Sequence, residues 1–232
     1  MKLRPAIRDQ CFALIVMLFF STNVFAAKSQ GLEPGLGLSS IRVQDGRGTT
    51  YSTTTITPKL GYSTELSKRN KRWRGHASLY YTAHQLSKSS EATVAFLGIN
   101  ARAGYQLIST RSKSGLFLYG GWFYTTMFVS TNSFGYEHLN GPQLYPVIQL
   151  NFKKGFTGYL YGKFSPITSS IDSISMKNNE KAFGAGFGIP TKRGRTDGRK
   201  FYVTVDYSQV KVVLDKVPIS TRSITAGISF GF

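Results

Sequence analysis

Three histidines, one cysteine and 11 carboxylates are what this 232-residue chain offers for nucleophilic, acid–base or metal chemistry. His76-Ala77-Ser78 sets an imidazole and a hydroxyl two residues apart. On an extended chain that spacing puts both on one face, as a Ser–His nucleophilic pair requires. No acid or Asn stands at a spacing that completes a triad. His84, with Ser87 and Glu91 close behind, forms a second set, and Glu137-His138 a third. A structural zinc site needs clustered ligands, and three dispersed histidines with Cys11 alone do not supply them. Gly184, Gly186 and Gly188 recur every second residue, which is a strand repeat and not the strand–loop–helix of a phosphate loop. The residues point away from an enzyme, and neither a cofactor nor a metal is expected.

The elements that would hold these side chains follow from composition and periodicity. Charged residues are only 17% of the chain, below the roughly 25% of soluble domains. Aromatics reach 14%, with 24 Gly, 17 Phe and 13 Tyr, which excludes a disordered chain and an Ala/Glu/Lys/Leu helical bundle. Residues 1–26 read as a cleaved secretory signal peptide. Lys2, Arg4 and Arg8 give a positive start, Cys11–Phe20 is uncharged, and small residues precede Ala27. The uncharged run is too short for a membrane-spanning helix, which needs about 20 residues. Cys11 is the sole cysteine, so the exported part has no disulfides.

Beyond residue 26 the recurring signal is alternation at period two, bounded by turns rich in Gly, Ser, Asn and Lys. In the last segment Ile224, Ala226, Ile228, Phe230 and Phe232 form one face, and Ser223, Thr225, Gly227, Ser229 and Gly231 the other. Ala95–Leu107, Leu144–Phe152, Phe156–Phe164, Phe183–Ile189 and Phe201–Tyr207 repeat the pattern. Ala77, Leu79, Tyr81 and Ala83 likewise oppose His76, Ser78, Thr82 and His84. Residues 32–40 and 56–66 show it weakly, and residues 116–129 are apolar on both faces. Ten strands of about 9–14 residues result, each long enough to cross a bilayer when tilted. Charges keep to one face of these strands. A polar inside with an apolar outside, closed so that every backbone group is paired, is the β solution to a lipid environment. The fold class predicted for residues 27–232 is therefore all-β, a closed antiparallel transmembrane barrel of about ten strands. Eight or twelve are the alternatives, because residues 27–55 and 168–180 are ambiguous.

The signal peptide, the alternating strands and the terminal Phe232 together resemble a Gram-negative outer-membrane β-barrel. The last strand, with Ile224, Ala226, Ile228, Phe230 and Phe232, is similar to the signal read by the barrel-assembly machinery of that class. The resemblance implies an outer-membrane location, outer-membrane lipids and that machinery as partners, and both termini in the periplasm. Ser67–Trp73, Ser109–Gly115, Lys153–Gly155 and Thr191–Lys200 are then periplasmic turns. Gln44–Thr54, Ser87–Thr93, Ser130–Pro142, Thr168–Glu180 and Leu214–Thr221 are external loops.

The net charge of +18 is concentrated in the periplasmic turns. Lys68, Arg69, Lys71, Arg72, Arg111, Lys113, Lys153, Lys154, Lys192, Arg193, Arg195, Arg199 and Lys200 form a basic rim, against Asp197 alone. Such residues reach anionic headgroups, or an anionic periplasmic partner. Nucleic acid is not expected outside the cytoplasm. The inward set is Lys59, Glu65, Arg74, His76, His84, Arg102, Lys163 and Asp206, and Glu65 and Asp206 are expected to pair with Arg102, Lys59 or Lys163. A barrel of about eight strands is just filled by side chains, and one of ten is nearly so. The expected function is a non-enzymatic surface protein with a narrow or plugged lumen. Its contact surface would be the external loops, with Phe134, Tyr136 and Ile171. The alternatives are an anion-preferring pore for small solutes and a lipid-modifying enzyme acting through His84 or His76.

Overall fold

A computed structural model of the chain describes residues 31–67, 69–70, 72–88, 93–110, 114–129, 134–167, 175–191, 199–214 and 217–231. The signal segment, Phe232, and Lys68, Lys71, Arg111, Lys113, Lys192, Arg193 and Arg195 of the basic rim lie outside the described residues, as do Glu91 and Ile171. The strands are β1 (Gly31–Gln44), β2 (Thr50–Glu65), β3 (Trp73–Tyr81), β4 (His84–Lys88), β5 (Val94–Ser109), β6 (Gly115–Val129), β7 (Phe134–Asn151), β8 (Thr157–Ile167), β9 (Ser175–Pro190), β10 (Lys200–Leu214) and β11 (Val217–Gly231).

β3 and β4 pair in succession along the same neighbour, β3 with Lys59–Glu65 and β4 with Thr53–Ile56 of β2. They are two halves of one barrel strand, which gives ten strands in all. Strands adjacent in the barrel run antiparallel, and β1 pairs with β11 from Gly35↔Ser229 to Gln44↔Ser220. That last pairing closes the sheet and removes both edges. An even strand count returns the chain to the side on which it began. This is called here the near end, and the opposite side the far end.

The exterior is apolar: Leu36, Leu160, Phe183, Val205 and Ile224 are all exposed, Phe183 by 62%. Outward aromatic rings contact one another toward the near end, Trp73 with Tyr105 at 5.1 Å and Phe156 with Phe187 at 5.7 Å. In water this surface would drive aggregation; in a bilayer it is the solvated face.

Two features depart from the expectation. Most strands have 14–18 residues rather than 9–14. The surplus is at the far end: β7 starts at Phe134, inside the predicted loop Ser130–Pro142, and β9 starts at Ser175, inside Thr168–Glu180. β2 and β11 likewise begin at Thr50 and Val217, within predicted loops. A tilted strand needs about 9–11 residues to span the hydrocarbon, so strand pairing continues beyond it.

The second departure is at Thr82-Ala83, where the strand is interrupted. Phe96 N donates to Thr82 Oγ1 at 2.8 Å, Thr82 N to Phe96 O at 3.0 Å and Ala83 N to Ile56 O at 2.8 Å. The backbone groups stay satisfied while the side-chain phase slips by one. His84 therefore lies opposite Ile56 on the outer face, and Gln85 opposite the inward Thr55. His84 is exposed and does not belong to the lumen set, because unbroken alternation was the wrong premise there.

Candidate functional site

The lumen has two unlike halves. At the far end the inward positions are apolar. Ile41 and Val43 of β1 pack with Tyr51, Val94, Phe123, Met127, Leu139, Ile167, Val210, Val212 and Ile219 from strands all around the barrel. Val43 and Met127 have no exposed surface, and none of the eleven exceeds 7%. Side chains from opposite walls meet at the axis and exclude water, as in a soluble core.

A polar layer underlies this cluster. Lys163 of β8 forms an ion pair with Glu180 of β9 at 2.7 Å, both side chains only 8% exposed. Its ammonium group also lies 4.9 Å from the ring centre of Phe123 and donates to Asn100 Oδ1 at 3.4 Å. Ser39 links Thr57 and Thr225 by hydroxyl hydrogen bonds of 2.8 Å each. Small hydroxyls on β1, β2 and β11 thus tie neighbouring walls where no bulky group fits.

Towards the near end the lumen opens into a cavity of about 670 Å³ whose mixed lining includes charged side chains of both signs. Lys59 pairs with Asp206 at 3.0 Å, and the Tyr161 hydroxyl donates to the same carboxylate. Tyr161 stacks on Tyr145 with ring centres 4.8 Å apart, and the Arg102 guanidinium covers the other ring at 3.7 Å from its centre. Glycine makes room for these rings: a Cβ on Gly184 or Gly186 of β9 would collide with Tyr161 or Tyr159. Their alternation on one strand face is therefore a packing device for the opposing tyrosines. Arg74 lies 4.5 Å from the Phe117 ring centre and donates to Gln149 Oε1 at 3.4 Å. Glu33 accepts from the Ser63 hydroxyl at 2.9 Å.

The placement of the predicted site residues is mixed. Lys59, Glu65, Arg74, His76, Arg102, Lys163 and Asp206 all line the cavity. Asp206 takes Lys59, one of its expected partners, whereas Lys163 takes Glu180, which had been placed in a loop. Glu65 has no ion pair among the described residues, although it lies directly opposite Arg74 in register. Glu33 and Glu180 are lumen acids that the sequence reading missed. Glu180 carried a signal, since it continues the inward phase of Ala182 and Gly184 by one step. Lys200, assigned to the rim, turns inward and donates to Thr157 Oγ1 at 3.4 Å. Arg69, Arg72, Lys153 and Lys154 are exposed at the near end, and Arg199 is half-buried. Lys154 takes the left-handed backbone of the tight turn between β7 and β8, with φ 61°. Ile224, Ala226, Ile228 and Phe230 share the outward face of β11.

His76 and Ser78 share the lumen face, as their spacing requires; Ser78 Oγ accepts from Asn100 Nδ2 at 3.5 Å, and His76 Nδ1 has no partner among the described residues. No group of three or more potential metal ligands forms among the described residues.

No protein-family model matches the sequence, and no curated protein is significantly similar to it. Solved structures do match in shape. The outer membrane protease OmpT from Escherichia coli superposes with a TM-score of 0.60 at 10% identity, over 91% of this chain and 99% of that one. The translocator domain of the autotransporter NalP from Neisseria meningitidis gives 0.45 at 9% identity, over 96% of each chain. The outer membrane protein OprG from Pseudomonas aeruginosa gives 0.41 at 10% identity, over 88% and 96%. With its closed ten-strand ladder and apolar exterior, the chain has the fold of the Gram-negative outer-membrane β-barrels, and its place is in that membrane.

Proposed function

We propose that this is a non-enzymatic outer-membrane protein whose lumen is blocked toward the cell exterior and whose far end is a contact surface. The reading takes the near end, with both termini and the basic rim, as periplasmic. The observation that carries it is the buried apolar cluster spanning the far half of the lumen. An ion crossing it would lose its hydration shell without compensation, and the energetic cost of that blocks conduction. Strand pairing that continues past the hydrocarbon gives the far-end loops a firm base, which suits a surface for contact. The basic rim would sit against anionic headgroups on the periplasmic side.

Purified protein that shows heat-modifiable migration on gels, and is therefore folded, should pass no steady current in planar bilayers. Stable open current would overturn the reading. An anion-preferring pore would then take its place, because Arg74 and Arg102 already line the open half. In cells, replacing the far-end connections 130–133 and 168–174 should abolish surface binding, with barrel assembly unchanged. Overexpression should leave phospholipid and lipid A profiles as they were, and a change would revive the enzymatic alternative through the exposed His84.

A further inference from the structure

The near-end chamber does more than fill space, and its unsatisfied groups say what it suits. Asp206 is taken by Lys59 and Tyr161, and Glu180 by Lys163. Arg74 and Arg102 form no direct ion pair among the described residues, although Glu33 lies close enough to Arg102 for the two charges to attract. Each instead lies over an aromatic ring, Arg102 over Tyr145 with Tyr119 beyond at 5.7 Å, and Arg74 over Phe117. Contact with a ring holds a guanidinium in place, and each has five N–H donors, of which Gln149 and Tyr119 engage only part at Arg74 and Tyr145 only part at Arg102.

Arg102 is also braced from behind. Its supporting ring is stacked on Tyr161, which is tied to Asp206 and through it to Lys59. Arg102 Nε is buried with no hydrogen-bond partner among the described residues. His76, directly opposite it in register on β3, likewise has a buried Nδ1 with no partner among them. Two unsatisfied nitrogens on residues that line the cavity represent a desolvation cost that a ligand would relieve. The acids Glu33 and Glu65 and the cation Lys200 line the same chamber, so its walls carry both signs and suit a ligand of low net charge. A volume of about 670 Å³ falls within the 300–1,000 Å³ usual for small-molecule sites.

We propose that this chamber is a binding site for one small oxyanion-bearing solute, held through a carboxylate or phosphate group by Arg102 and Arg74, with His76 contributing a further hydrogen bond. A guanidinium fork matches either group in bidentate fashion. The direction of access, from the periplasm only, rests on the blocked-lumen reading, whereas the site itself does not.

The test is isothermal titration of the folded barrel in detergent, with inorganic phosphate and with acetate as separate probes. Saturable binding at one site is expected, and the tighter of the two probes identifies the group recognised. Arg102→Gln should weaken binding about tenfold or more, as loss of a charge-assisted contact does. Arg102→Lys, which keeps the charge and loses the fork, should fall between that variant and the parent. Lys181→Gln, on the exposed outer face, should bind within about twofold of the parent protein. If Arg102→Gln does not fold, Arg74→Gln carries the test with the same expectation. Absence of saturable binding of both probes to heat-modifiable protein would overturn the proposal, as would an unchanged affinity in folded Arg102→Gln. Bilayer current would refute the blocked lumen and leave the titration result standing.

Discussion

The two halves of the lumen share the same ten walls and solve opposite problems. At the far end, walls are joined by apolar side chains that meet across the axis, with Met127 and Val43 fully enclosed. At the near end they are held by charged pairs, stacked tyrosines and guanidiniums around an open cavity. A soluble protein sorts apolar from polar by depth alone. Here a broad band of the exterior is apolar, with charged residues such as Arg42, Lys181 and Arg222 towards the far end, and the interior is sorted along its axis. Closure is thus a local property of one set of side chains, separable in principle from the strand ladder that makes the barrel.

Removing the far-end packing should therefore have the largest effect. Phe123→Ala with Met127→Ala should cost more than about 5 kcal/mol in denaturant unfolding from lipid vesicles. It should also produce bilayer current where the parent gives none. A stable barrel that remained silent would break the division between the halves. Next comes Glu180→Gln, which leaves Lys163 buried beneath the cluster without its carboxylate. A loss of about 3–5 kcal/mol is expected, measured by the same unfolding. Combining Lys163→Met with Glu180→Leu should recover most of it, because replacing both charges removes the unpaired one.

Asp206→Asn should be milder, about 2 kcal/mol, since it weakens a charge-assisted bond from Tyr161 and an ion pair in a wetter setting. If Asp206→Asn and Glu180→Gln cost the same, the near half is drier than its open cavity implies. Ser39→Ala, which removes the hydroxyl link between Thr57 and Thr225, should cost about 1 kcal/mol. The closing seam should fray there first, visible as faster amide exchange in β1. Lys181→Gln on the outer face should stay within about 0.5 kcal/mol of the parent and sets the floor of the series.

The axial sorting also explains what the sequence made legible. Where the lumen is polar, inward and outward residues differ in kind, so Thr204 and Asp206 against Val203 and Val205 could be read directly. Where the lumen is apolar, both faces look alike and the contrast disappears. On β6, Phe123 and Met127 point inward in the far-end cluster while Trp122 and Phe128 point outward, and no alternation in hydrophobicity separates them. At the far ends of β9 and β11 the outward positions are polar, Asn179 and Lys181 on one strand and Ser220 and Arg222 on the other, so an outward-apolar pattern is missing there and these stretches read as loops. Glu180 and the buried cluster vanished with them. His84 failed for another reason: a one-residue slip at Thr82-Ala83 has no composition signal and is set by the hydrogen bonds to Phe96 and Ile56. The Lys59–Asp206 pair joins residues 147 apart, a choice that barrel closure makes and local sequence does not.

The β1–β11 seam has a consequence for biogenesis. It unites residues 35–44 with 220–229, so nearly the whole chain must be synthesised before the first strand meets its partner. Until then two strand edges remain open, and neither lipid nor a crowded periplasm tolerates a long unpaired edge. In that interval the open edges are free to pair with the wrong chain. Shortening β11 by a few residues would then be felt at both ends of the polypeptide at once, leaving a barrel that can begin to assemble and cannot finish.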